Sequence, residues 1–138
     1  MDIGLSEEQE ILKASARDFL ATECPKKLVK ELDESDKGYS PELWRKMAEL
    51  GWMGLVFPED YGGSGGTFLD LVVLLEEMGY NILPGPFFST IVLGGLPILK
   101  AGSEEQKKKF LSRIARGELI LTMALTEPTA SYDASAIA

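Results

Sequence analysis

The sequence predicts an all-helical unit of about 118 residues that runs on into the first strand of a β domain. Helix-start signals recur as far as Ser103, and between them apolar residues return at helical spacing. After Gly117 the period changes: Leu119–Thr126 is an apolar run of strand length, with no helix start before it and Glu127-Pro128 to stop it. One strand cannot pair with itself, so the run points to a sheet built from residues outside this chain.

Taken in order, Ser6-Glu7-Glu8-Gln9 has the pattern of a capping box, in which the Ser6 hydroxyl and the Gln9 amide each satisfy a free backbone N–H. Ile11, Leu12, Phe19 and Leu20 give that helix its apolar face, and Pro25 requires it to end near Thr22. A short helix over Lys26–Asp33 is expected to bury Leu28, Val29 and Leu32, before a polar loop at 34–38. Ser40-Pro41 is an N-cap followed by proline at the first helical position. Leu43, Trp44, Met47, Ala48 and Leu50 form the stripe of that helix, and Gly51 is placed to end it. Trp52–Phe57 is too short for an independent helix, and Pro58–Gly66 is a loop holding four glycines. Phe68–Met78 is apolar on most sides and is expected to be the most buried helix. A turn at Asn81–Pro86 leads to a helix over Phe87–Lys100 with Pro97 kinking it. Ser103-Glu104-Glu105-Gln106 repeats the capping box, and Phe110, Leu111, Ile114 and Ala115 form the last stripe.

Composition narrows the chemistry. With 45% hydrophobic residues the chain can bury a core, and a net charge of −8 lacks the basic footprint of a nucleic-acid binder. It contains no histidine, which excludes Ser-His-Asp chemistry and His-ligated zinc within these residues. Cys24 is the only cysteine, so there is no intrachain disulfide or cysteine-cluster metal site. The single thiol favours a reducing compartment, and the cytoplasm is the expected location. The N-terminus lacks a signal-peptide pattern, and no apolar stretch reaches the length of a membrane span.

Few segments could carry chemistry, and each has a plain structural alternative. The glycine-rich loop before Phe68 could cradle a phosphate with backbone amides, or be a tight interhelical loop. It has no lysine after it and does not follow a strand, so it is no P-loop. Lys107-Lys108-Lys109 could grip an anion or be a solvated helix face. Trp44 and Trp52 could stack on a planar cofactor or sit in the core. Glu7/Glu8 and Glu76/Glu77 read as capping and surface charges, and Cys24 has no histidine or cation cluster beside it to make it a nucleophile. Leu125-Thr126-Glu127-Pro128 closes the apolar run, where a hydroxyl and free backbone groups could face a cleft or merely cap a strand.

Four of these segments, in this order and spacing, resemble the acyl-CoA dehydrogenase family of flavoenzymes. They are Leu5-Ser6-Glu7-Glu8-Gln9, Leu50–Leu55 with Pro58–Gly63, Gly102–Lys107 with Phe110-Leu111, and Ala124-Leu125-Thr126-Glu127-Pro128. The resemblance implies an N-terminal helical bundle at residues 1–118, and at 119–138 the first strand and loop of a truncated middle β domain. It implies FAD as cofactor and oxidation of an acyl-CoA thioester to the 2-enoyl-CoA. A base placed beyond Ala138 would take the α-proton and the flavin the β-hydride, so this chain supplies no catalytic residue and is inactive alone.

Electrons would leave to an electron-transfer flavoprotein, from a homo- or hetero-oligomer. By position, Met123, Leu125 and Thr126 would line the flavin, with the Thr126 hydroxyl on the isoalloxazine edge. Phe87 and Phe88, in the turn against which the family's acyl tail lies, would narrow the tail pocket or else pack in the core. Tyr132 stands where the family carries a serine that contacts flavin phosphate or the thioester ligand. Ser131 and Thr129 likewise replace its glycines. Two alternatives remain: a non-catalytic acyl-CoA dehydrogenase-like subunit of a mixed oligomer, and a helical interaction module.

Overall fold

The computed structural model describes residues 4–126 and 128. Six α-helices follow in order: α1 (Glu7–Glu23), α2 (Lys26–Asp33), α3 (Pro41–Glu49), α4 (Phe68–Tyr80), α5 (Leu96–Ala101) and α6 (Glu104–Ala115). Two 3₁₀ turns, Trp52–Gly54 and Glu59–Tyr61, lie between α3 and α4, and a π-helical stretch, Ser89–Gly95, feeds α5. The capping boxes at Ser6 and Ser103 form as expected, and Ser40 caps α3 ahead of Pro41. A third box, Thr67 with Asp70, starts α4.

α1 lies along α4, and the 3₁₀ turn at Trp52–Gly54 fills the space between α3 and α6. The core gathers Ala16 and Leu20 of α1, Trp44 and Met47 of α3, Leu71, Leu74 and Met78 of α4, and Leu111 and Ile114 of α6 around Met53 and Phe57. Both tryptophans belong to it: Trp52 meets Phe19 edge-on at 5.1 Å, and the Trp44 indole donates to the Gly117 carbonyl at 2.9 Å.

Within the helices, the structure departs from the sequence reading at several places. Ile11 is exposed, because the axis of the α1 stripe is Ala16, a residue too small to stand out in the pattern. Leu50 is exposed, since it is the C-cap of α3 and no longer on its buried face. Leu28, Val29 and Leu32 are half-buried, because α2 is a short helix on the periphery. α4 does bury Leu71, Val73, Leu74 and Met78, but Phe68, Leu69 and Val72 of its first two turns are exposed. Pro97 sits in the first turn of α5, behind a π-helical stretch that takes the place of the regular helix expected there. Its missing N–H and its ring are accommodated by the widened Ser89–Gly95 stretch before it.

Residues 119–126 do not form a strand. Leu119 and Leu121 pack against the helical core, and no second run among the described residues lies beside them to make a ladder. Glu127, Ser131 and Tyr132 lie outside the described residues.

Candidate functional site

The C-terminus of α4 shapes the first candidate site. Asn81 is its C-cap, the Ile82 amide donates to the Gly79 carbonyl, and the Leu83 amide donates to Met78. That is the Schellman pairing, in which the residue after the cap takes a left-handed backbone and is usually glycine. α6 ends the same way with Gly117 at φ 72°. At α4 the position is held by Ile82 at φ 55°, a costly conformation for a β-branched side chain.

The turn that follows, with Gly85, brings the chain back over α4 and leaves a cleft of about 490 Å³. Leu75, Met78, Ile82, Leu83, Phe87 and Phe88 line it, with the backbone of Gly79 and Gly85, so no charged side chain faces it. The two phenylalanines divide their roles: Phe87 is 3% exposed and belongs to the core, whereas Phe88 is 52% exposed at the cleft.

The second candidate is the segment after α6. Leu119 and Leu121 dock on the core, and Met123, Leu125 and Thr126 are exposed. No hydrogen bond joins residues 122–126 to another described residue. Two apolar side chains, one hydroxyl and uncommitted backbone groups are a donor set that suits a planar, partly polar heteroaromatic ring.

Other candidates resolve toward structure. Every amide from Gly62 to Gly66 is consumed inside the loop or by the preceding turn, donating to the carbonyls of Glu59, Pro58, Gly54, Phe57 and Leu55. None is left to hold a phosphate. The loop is tight because a Cβ at Gly63 would stand 2.0 Å from the Phe57 carbonyl oxygen. Lys107 pairs with Glu104, which also accepts from the Tyr61 hydroxyl at 2.8 Å. Both bonds, the lysine's first, hold the Glu104 carboxyl below its ordinary range. Cys24 is buried, and desolvation pushes its thiol up, away from reactivity. No helix of the described residues is long and apolar enough to cross a membrane.

Two buried polar groups were not legible beforehand. Glu77, read as a surface charge, is fully buried and takes both oxygens to the Arg17 guanidinium at 2.8 and 2.9 Å. Thr90, inside the widened helix, is also fully buried and bonds to the backbone of Leu121. Neither stands out in the sequence, since Glu77 follows Glu76 and Thr90 follows Ser89.

Residues 6–118 match the family model for the acyl-CoA dehydrogenase N-terminal domain. The chain belongs to the acyl-CoA dehydrogenase family. Among its relatives, a short-chain-specific acyl-CoA dehydrogenase of Clostridium acetobutylicum is 37% identical over 99% of this chain and 36% of its own length. A subunit of the caffeyl-CoA reductase–Etf complex of Acetobacterium woodii is 36% identical over 94% of this chain and 34% of its own. A solved acyl-CoA dehydrogenase of Bacillus anthracis, complexed with FAD, superposes with a TM-score of 0.79 at 31% identity. It covers 92% of this chain and 22% of that one. The chain thus spans about a third of the length of the curated relatives it matches. Its helices are those of the acyl-CoA dehydrogenase N-terminal domain.

Proposed function

We propose that this chain is the N-terminal part of an FAD-dependent acyl-CoA dehydrogenase that oxidises an acyl-CoA thioester to the 2-enoyl-CoA. The observation that carries the reading is the uncharged cleft between the end of α4 and Phe88, a place where an aliphatic tail leaves water without burying a charge. On this reading Leu75, Met78 and Phe88 contact the tail, while Phe87 holds the wall from the core side. Residues 119–138 open the middle β domain, in which Met123 and Leu125 exclude water from the flavin and the Thr126 hydroxyl donates to its polar edge. When bound, the flavin supplies the acceptor for the β-hydride. The α-proton goes to a carboxylate base outside this chain, so residues 1–138 alone neither hold FAD tightly nor turn over.

Electron-transfer flavoprotein is the partner this reading assigns, supported by the relative that works within a reductase–Etf complex. A homo- or hetero-oligomer and a cytoplasmic location complete it. The test is an anaerobic titration of the complete, FAD-loaded protein with short-, medium- and long-chain acyl-CoA. Bleaching of the oxidised flavin band together with enoyl-CoA formation is expected for at least one chain length. A stable flavoprotein that no acyl-CoA bleaches would leave the non-catalytic subunit instead.

A further inference from the structure

The widened helix and the segment after α6 meet at one point. The Thr90 hydroxyl donates to the Leu121 carbonyl at 3.3 Å and accepts from the Leu121 amide at 3.2 Å. One side chain thus engages both backbone groups of one residue, as a neighbouring strand would. Gly94, one turn further on, makes the approach possible: a Cβ there would stand 2.7 Å from the Leu121 Cβ. The Ser89–Gly95 stretch is π-helical, a widening that Pro97 favours, and it presents Thr90 and Gly94 toward the same partner.

We propose that Thr90 is the positioning residue for the flavin-facing segment, clamping Leu121 so that Met123, Leu125 and Thr126 are delivered at a fixed place on the helical body. This rests on the flavin reading given above. The clamp shortens the reach of the segment. From Gly117, where α6 ends, Thr126 is about nine residues away and could roam over roughly 30 Å. From a clamped Leu121 it is about five residues away, and its reach falls to roughly 17 Å. The Leu121 side chain rests on the core, but a side-chain contact alone leaves the backbone free to rotate about it. The paired hydrogen bonds fix that rotation, and with it which way the following side chains face.

The experiment compares the parent with Thr90→Val, Thr90→Ser and Gly94→Ala. Valine keeps the shape and removes the hydroxyl, serine restores the hydroxyl, and alanine at 94 pushes Leu121 away without touching Thr90. In the 138-residue chain, amide exchange at Leu121 is expected to quicken about tenfold or more in Thr90→Val and Gly94→Ala and to stay near parental in Thr90→Ser, with α4 protected in all. In the complete FAD-loaded protein, the first two variants are expected to shift the flavin absorbance and release FAD about tenfold faster, with Thr90→Ser near parental. Unchanged Leu121 exchange in both Thr90→Val and Gly94→Ala would overturn the clamp. Faster exchange with parental flavin absorbance and retention would overturn its positioning role. A complete parent protein that binds no FAD would overturn the flavin reading, and this role with it. Should Thr90→Val fail to fold, Gly94→Ala against the parent decides by the same readouts.

Discussion

Glu77 shows how much a single residue depends on its partner. Its carboxylate is fully buried, and the half-exposed Arg17 of α1 reaches over it with two hydrogen bonds, its guanidinium 5.3 Å above the Tyr80 ring. The Glu77 hydrogen bond, then its charge, hold the Arg17 guanidinium above its ordinary range. Replacing a buried pair by apolar side chains is often neutral, whereas removing the cation strands a charge in the core. Chemical denaturation should therefore find Arg17→Ala clearly destabilising and the double change Arg17→Met with Glu77→Leu close to parental. Ile82 makes the opposite case, a residue in the wrong conformation for its type. Ile82→Gly should relieve about 1–2 kcal/mol of left-handed strain and lose about half of it to unfolded-state freedom. A net gain of about 0.5–1 kcal/mol in thermal unfolding is expected, and a loss would show that the Ile82 side chain stabilises the fold through its contacts.

At the scale of elements, α1 and α4 are joined by more than packing. Asp70 accepts from the Thr67 amide at 2.6 Å and from the Gln9 side chain at 2.9 Å, so one carboxylate caps α4 and ties it to the first turn of α1. Burial alone would raise its pKa, but the bonds from Gln9 and Thr67 together outweigh it and leave the folded-state value below the ordinary 3.8. A carboxyl with a depressed folded pKa contributes stability that is fully present above the unfolded value and lost as pH falls through the folded one. Stability should thus decline below about pH 4, and Asp70→Asn should flatten that part of the profile while lowering stability at neutral pH. The glycine loop is the second element-level device. Gly63→Ala places a Cβ against backbone rather than a yielding side chain, so a cost of about 1–3 kcal/mol is expected, toward the upper end. A variant as stable as the parent would show that the loop can open without loss.

On the scale of the whole molecule, what the sequence made legible was whatever is local. Capping boxes at Ser6 and Ser103, Pro41 behind Ser40 and Gly117 after α6 are decided within a few residues, and all four stand in the structure. What it hid depends on the partner. Glu77 looks like any surface glutamate until Arg17 is brought over it from another helix, and Thr90 is silent without Leu121. Leu119–Thr126 likewise carries a strand pattern that nothing pairs among the described residues, since a ladder needs a neighbour. The apolar surplus on α4 left Phe68, Leu69 and Val72 exposed, although a helix apolar on most sides was expected to be buried throughout.

On the proposed function, this helical unit walls an acyl cleft and delivers one flavin-facing segment. The most direct measurement is amide hydrogen exchange of the complete FAD-loaded protein with and without an acyl-CoA analogue that cannot be oxidised. The expected result is slower exchange on binding at residues 78–88 and 121–126, with α2 and the first turns of α1 unchanged. Protection elsewhere in the protein with none at residues 78–88 would contradict it.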